Sequence, residues 1–500
     1  MANNDPAPVR CSCPGAVLKR PAVWGTIVAI AVIALLSLIY FYPDALEGNQ
    51  LRQPDMQQGA ANSRELAEYK DSTGEISYWT NSLFSGMPAF QISPSYPSSS
   101  MFSWITTVYG LGLPAPANLL AMMMIGFFIL LMAMRMRWYT ALIGAVAYGF
   151  SSYFVIIIGA GHLWKFITLA YVPPTVAGLI LCYRGRYLAG GALTALFAMM
   201  QVASNHVQMS YYFLFVMLGF AIVYLIDAWR NRQMRRWFAA TGVLAAAAVL
   251  AVGANLPSLY NTYEYSKETM RGRHSELTQP GGVSAGSSSG LDRDYILQYS
   301  YGASESFSLL IPNVKGGASA KPVEGRMTGL SLADLPEAET MYRTGQISAD
   351  DARNLQAFSQ YFGEPEGTNG PVYVGALIVA LFLLGALIVR GPMKWMLLVL
   401  TAMSVFLALG RNMAWLSDLF INYVPMYNKF RTVESILVIA EFTMPLMAMM
   451  ALRQFLRSAD PWGEYRRALA VSFGVCMAVC LAGIVAPGVF GHYLSAPEYQ

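Results

Sequence analysis

The residues best equipped for chemistry in this chain lie in polar segments between apolar runs. The first long segment reads LRQPDMQQGAANSRELAEYKDSTGEISYWTNSLFSGMPAFQIS, from Leu51 to Ser93. Pro54 precedes Asp55 and a stretch of helical composition. Asp55 therefore falls near a helix start, where free N–H groups stabilise a carboxylate. Two roles fit it: a plain helix cap, or a catalytic base at a membrane surface. Tyr78, Trp79 and Phe84 offer rings suited to sugar stacking or to a membrane interface. Gln57, Gln58, Asn81 and Gln91 are amides that can bind hydroxyl groups.

Short polar signatures recur along the chain. GAGHLWKF sets His162 and Lys165 three apart, on one side of a helix. SNHVQMSYY carries Asn205, His206 and Gln208. NTYEYSKETMRGRHSEL carries Glu264, Lys267, Glu268 and Arg271, GRN carries Arg411, and VPMYNKFRTVES carries Lys429 and Arg431. Each alone reads as a solvated helix end; convergence on one face would make them a site. The basic members suit an anionic lipid phosphate, or pairing with Glu264, Glu305 or Glu434. Glu441 lies deep in an apolar run, where a charge costs about 3 kcal/mol. It calls for an internal cavity, a proton or a polar partner. Asp292 and Asp294, in DRD, suit a surface turn or a divalent cation.

Several classes are excluded. The sequence has no Walker, GxSxG, HExxH or Rossmann fingerprint, and no basic stripe with interleaved aromatics for nucleic acid. Of the five cysteines, Cys182, Cys476 and Cys480 lie in apolar runs, and Cys11 and Cys13 in a basic N-terminal tail. The polar loops thus hold no disulfide framework.

The elements that must position these residues are membrane helices. Only 12% of the residues are charged and 55% are hydrophobic, whereas a soluble domain is about 25% charged. Much of the surface therefore faces lipid. A spanning helix needs about 20 largely apolar residues. Runs at 22–42, 117–134, 139–159, 166–183, 188–204, 207–228, 237–256, 371–389, 394–410, 433–452 and 468–490 predict an all-α polytopic protein of about eleven transmembrane helices. Every second connection holds a basic cluster: Lys19/Arg20, Arg135/Arg137, Arg184/Arg186, Arg230 to Arg236, Arg390/Lys394 and Arg453 to Arg467. Positive-inside bias makes these cytoplasmic. The expected organisation is a cytoplasmic tail at 1–21 and seven helices within 22–256, with a first external loop at 43–116. A second large external loop at 257–370, four helices within 371–490 and an external end at 491–500 follow.

The set PDMQQGAANSRE, YWTNSLFSGMPAFQIS, GAGHLWKF, SNHVQMSYY, NTYEYSKETMRG, LQYSYGASESFSLLIPN, YFGEPEGTNGPVYVG and VPMYNKFRTVESILVIAEF resembles YfhO-type bacterial membrane proteins, particularly the branch found in Bacteroidota. The likeness covers residues 20–490. Members generally continue beyond this length, so it implies a missing C-terminal part after Gln500. It also implies a GT-C-like helical bundle in the bacterial inner membrane, with the N-terminus cytoplasmic. The implied activity moves a sugar from a polyprenyl-phosphate donor to an envelope glycan or lipid acceptor on the outer face. Asp55 matches the first-loop acidic base by position. Arg411, Lys429 and Arg431 are assigned to the lipid phosphate on charge and side. Trp79, Asn81, Gln91, Gln57, Gln58, His162, Lys165, His206, Glu264, Arg271 and Glu305 are the expected substrate-binding set. One strong carboxylate in the first loop leaves room for a divalent cation without requiring one. A transporter or flippase of a lipid-linked or anionic solute, and a non-catalytic envelope-polymer assembly component, are the competing expectations.

Overall fold

A computed structural model describes residues 21–92, 103–269, 271, 290–323 and 326–493. The basic tail with Cys11 and Cys13, nearly all of the Gly/Ser-rich stretch 281–290, and the last seven residues lie outside them. The chain is largely helical. Its main helices are α1 (Pro21–Tyr40), α2 (Pro54–Asn62), α3 (Arg64–Thr73), α4 (Ala117–Ala133), α5 (Trp138–Gly149), α6 (Ser152–Ala160), α7 (Leu163–Tyr183), α8 (Tyr187–Ala203), α9 (Val207–Arg230), α10 (Met234–Ala254), α11 (Ala376–Ile388), α12 (Pro392–Ala408), α13 (Ala414–Tyr423), α14 (Val438–Phe455) and α15 (Arg466–Val485). Among the described residues, strands are confined to two short hairpins, Trp79–Thr80 with Met87–Pro88 and Ala320–Val323 with Arg326–Gly329.

Among the described residues, six helices are long and apolar enough to cross a membrane, and up to eight if each of two bent pairs counts as one span. α4, α8 and α11 are shorter apolar helices in the remaining runs. Two of the long spans lie at the centre, with the short apolar helix α4 buried beside them. The span containing α7 is 83% buried and the one containing α14 is 89% buried, against 17% for α10 and 11% for α15. The outer helices thus present apolar surface to lipid, and the central pair is enclosed by protein.

The structure departs from the sequence expectation in three places. The run at 139–159 is broken, and α5 and α6 meet at 47°. The polar dipeptide Ser151–Ser152 sits at the break. Ser151 Oγ donates to Glu441 at 2.6 Å, Ser152 Oγ to Pro371 O at 2.6 Å, and Tyr373 N to Ser152 Oγ at 2.7 Å. An interrupted helix is tolerated in a membrane only where protein satisfies its polar groups. The same bonds delay α11, which starts at Ala376 because the residues before it run extended beside the break. Thirdly, the chain turns by 117° after α12, and α13 follows in what the sequence suggested was loop.

α7 carries Pro173 and Pro174 in its interior. Pro174 has no N–H for the carbonyl of Ala170. Tyr109 Oη donates to that carbonyl instead, at 2.9 Å, and Gly126 leaves room for the phenol. Tyr109→Phe should leave a buried carbonyl unpaired and cost about 1–3 kcal/mol. The expected readout is a lower melting temperature in detergent, with helical content retained; wild-type melting would refute the role.

α7 and α8 approach at backbone level. A Cβ on Gly178 would lie 2.8 Å from Gly190 O, and one on Gly190 would lie 2.6 Å from Gly178 O. Small residues at such a contact let two helices pack closely in lipid.

Candidate functional site

The loop-rich end of the bundle gathers the polar signatures. In the first loop, Pro54 is the first residue of α2 and Gln53 takes the N-cap position. Gln53 does not use its side chain as a cap, but donates its amide to Ile158 O at the end of α6. This draws QPDM against GAGH. Gly161 (φ +88°) makes the approach sterically feasible, since a Cβ there would lie 3.0 Å from Gln53 Cβ. The plain-cap reading of Asp55 is thus replaced by another contact. Asp55 Oδ2 lies 2.8 Å from His162 Nε2, with both side chains about half exposed.

His162 precedes α7. Burial is the main cause lowering its pKa below the ordinary histidine value, Lys165 adds to this, and Asp55 pulls the other way. A neutral imidazole donating from Nε2 to the carboxylate keeps its lone pair on Nδ1. The pair lies at a cavity of about 710 Å³. Its walls are α6 (Ser152, Val155, Ile156), second-loop residues (Asn313, Ala318, Lys321) and Asn369–Pro371. A mostly apolar cavity with a few convergent polar groups is the usual form of a small-molecule site.

Behind this pair, Lys165 Nζ donates to Ser435 Oγ at 3.0 Å and lies 5.0 Å from the centre of the Tyr153 ring. Glu434 and Glu441 are the acidic groups acting on it. Glu441 is 0% exposed, and its second oxygen has no partner among the described residues. GAGHLWKF and VPMYNKFRTVES, far apart in sequence, thus meet through Lys165 and Ser435.

The other signatures join the same platform. Gln208 Nε2 donates to Arg431 O at 2.7 Å, and Tyr211 Oη to Pro425 O at 2.7 Å. Arg271 Nη1 donates to Lys429 O at 3.1 Å, and Lys429 Nζ to Arg271 O at 2.6 Å. Arg431 Nη1 donates to Tyr295 Oη at 2.6 Å. Arg271, Lys429 and Arg431 are therefore neighbours, and among the described residues Arg271 and Arg431 form no ion pair.

His206 precedes α9, and its buried Nδ1 has no hydrogen-bond partner among the described residues. Burial, reinforced by Lys165, lowers its pKa from 6.5 to about 3. The unfolded chain takes up this proton near pH 6.5 and the folded one only near pH 3. The stabilisation is complete above pH 6.5 and is lost as the pH falls toward 3. Melting temperature should therefore drop on acidification through that window, and His206→Asn should flatten the slope. An unchanged slope in the variant would assign it to other groups.

Several expected binding residues are committed elsewhere. Asn81 N donates to Glu65 Oε2 at 2.8 Å, and Thr80 Oγ1 donates to the same oxygen at 2.6 Å. Glu65, not singled out in the sequence, thus holds the aromatic hairpin. Tyr78 and Trp79, at the open end of this hairpin, and Phe84, in its turn, are exposed, 80%, 51% and 87% respectively. Gln57 and Gln58 are exposed on α2 and do not line the cavity, and Gln91 is half-buried. Glu264 pairs with Lys267 at 2.7 Å.

Glu305 is only 3% exposed inside the second loop. It accepts from Tyr361 Oη and from Gly302 N at 3.0 Å, so it is an internal brace and not a substrate contact. Burial raises its pKa and the Tyr361 bond counteracts this. Arg411 donates its backbone N–H to Ser300 Oγ and its guanidinium to Gln298 O. Asp292 caps the short helix Arg293–Ile296, accepting from Asp294 N at 2.9 Å, which is the surface-turn role. Among the described residues, no three His, Cys, Asp or Glu side chains are placed to hold a metal ion.

The signals missed in the sequence were polar residues of ordinary appearance: Gln53, Glu65, Ser151 and Ser435. Their partners lie too far along the chain for local pattern to reveal. No protein-family model matches the chain, and comparisons with curated proteins and with solved structures returned no match.

Proposed function

We propose that this protein is a YfhO-type, GT-C-like membrane glycosyltransferase that moves a sugar from a polyprenyl-phosphate donor to an envelope acceptor on the outer face of the inner membrane. The observation that carries the reading is the Asp55–His162 contact of 2.8 Å at the edge of the 710 Å³ cavity. The first-loop carboxylate is accessible and oriented, as a base for an acceptor hydroxyl must be. Asp55 takes the hydroxyl proton, the oxygen attacks the anomeric carbon, and the polyprenyl phosphate departs with the electron pair of the broken C–O bond. Arg271, Lys429 and Arg431 supply cationic donors for the charge that develops on that phosphate. His162 positions Asp55. The exposed rings of Tyr78, Trp79 and Phe84 are suited to a sugar or to the membrane interface.

A second reading rests on the interrupted α5–α6 helix and the buried Lys165–Glu441 region. Broken helices with charges at depth are a common feature of transporter binding sites. The discriminating experiment supplies membranes with radiolabelled polyprenyl-phosphate sugars and follows label into the envelope fraction, for wild type and Asp55→Asn. Transfer that is lost in the variant supports the enzyme. No transfer from any donor, or equal transfer by both, overturns the assignment and favours the transporter.

A further inference from the structure

At the opposite, arginine-rich end, α4 and α7 end side by side. Between them is a cavity of about 330 Å³, lined by Ile129, Met132, Leu181 and the guanidinium-bearing residues Arg135, Arg184 and Arg186. Arg184 spends one N–H on Ala133 O, at the C-terminus of α4. Arg453 Nη1 donates to the adjacent Met134 O at 3.1 Å. These two bonds are ordinary compensation of a helix C-terminus. Arg135 and Arg186 are different. Both are exposed, and neither makes a side-chain hydrogen bond or ion pair among the described residues. The acidic group in this neighbourhood, Asp227, accepts from Asn231 Nδ2 at 3.0 Å.

The cavity thus combines exposed guanidinium groups with an apolar floor of Ile129, Met132 and Leu181, where α4 and α7 end. A guanidinium fork matches a phosphate in charge and shape, and the apolar floor matches the first carbons of acyl chains. We propose that this arginine cavity binds the phosphate of an anionic phospholipid. Basic pockets between transmembrane helices are established places for such headgroups. The inference is independent of the sugar-transfer reading.

The test uses the full chain in nanodiscs of phosphatidylcholine with a minor share of phosphatidylglycerol, and counts retained lipid by native mass spectrometry after release into detergent. Arg135→Gln/Arg186→Gln should lower phosphatidylglycerol retention roughly thirtyfold, from two arginines at a surface increment of about fivefold each. Melting temperature should be unchanged, since neither side chain holds the fold. Equal retention by wild type and variant would overturn the proposal. Inorganic phosphate is titrated in parallel. Displacement of the lipid only at phosphate concentrations far above the lipid's own supports a lipid site. Tight phosphate binding by wild type, lost in the variant and without preference for phosphatidylglycerol over phosphatidylcholine, would overturn the lipid assignment.

Discussion

Asp55→Asn should reduce sugar transfer by about 10²–10⁴-fold, the span over which a positioned acid–base group acts. The change keeps the size of the side chain and an oxygen that can still accept from His162 Nε2, now 2.8 Å from Asp55 Oδ2. It removes the capacity to take a proton. Gln53 still anchors α2 to the end of α6, and the cavity walls are otherwise untouched. Donor lipid binding and melting temperature should therefore stay at wild-type levels while turnover falls. Combined loss of binding and turnover would make Asp55 a structural group. Unchanged turnover would remove it from the chemistry altogether.

The second large effect concerns scaffolding. Gly178→Leu should separate α7 from α8, because the contact there is with backbone and cannot be relieved by a rotamer change. A Cβ at Gly178 meets Thr194 N at 2.7 Å and Gly190 O at 2.8 Å. The cost should reach at least about 3 kcal/mol, the upper part of the range for overpacking. α7 carries Lys165 and follows directly from His162, so its displacement also moves the site. Thermal unfolding and size-exclusion profiles in detergent give the measurement. Gly253→Leu is the control, on the lipid-facing α10, where an added Cβ meets nothing within 4 Å. If the two variants melt alike, the close α7–α8 contact is not a stability determinant.

Much of the architecture could be read from the sequence, for a simple reason. Lipid allows few backbone solutions, so each apolar run had to become helix. Helix interruptions were harder to see. Ser151–Ser152 looks unremarkable until the extended residues 371–373 and Glu441 are beside it. Asp55, His162 and Lys165 were legible as chemical groups, but Asp55 on its residues alone read first as a cap, and only the fold puts His162 against it. Glu305 shows the opposite failure. An acidic residue in a large polar loop suggests a ligand contact, yet this one is enclosed by Tyr361 and by the amides of Gly302 and Glu364. Sequence gives no local mark of that enclosure.

The break between α5 and α6 bears on how the chain is made. Ser151 and Ser152 find their partners 290 and 219 residues later, at Glu441 and Pro371. A ribosome that has delivered the first six apolar helices has therefore supplied neither partner. Until the second large loop has been synthesised and α14 has entered the bilayer, these hydroxyls must be served by water or by the insertion machinery. The N-terminal half inserts as an unfinished structure, and the docking of α11 and α14 is the event that closes it.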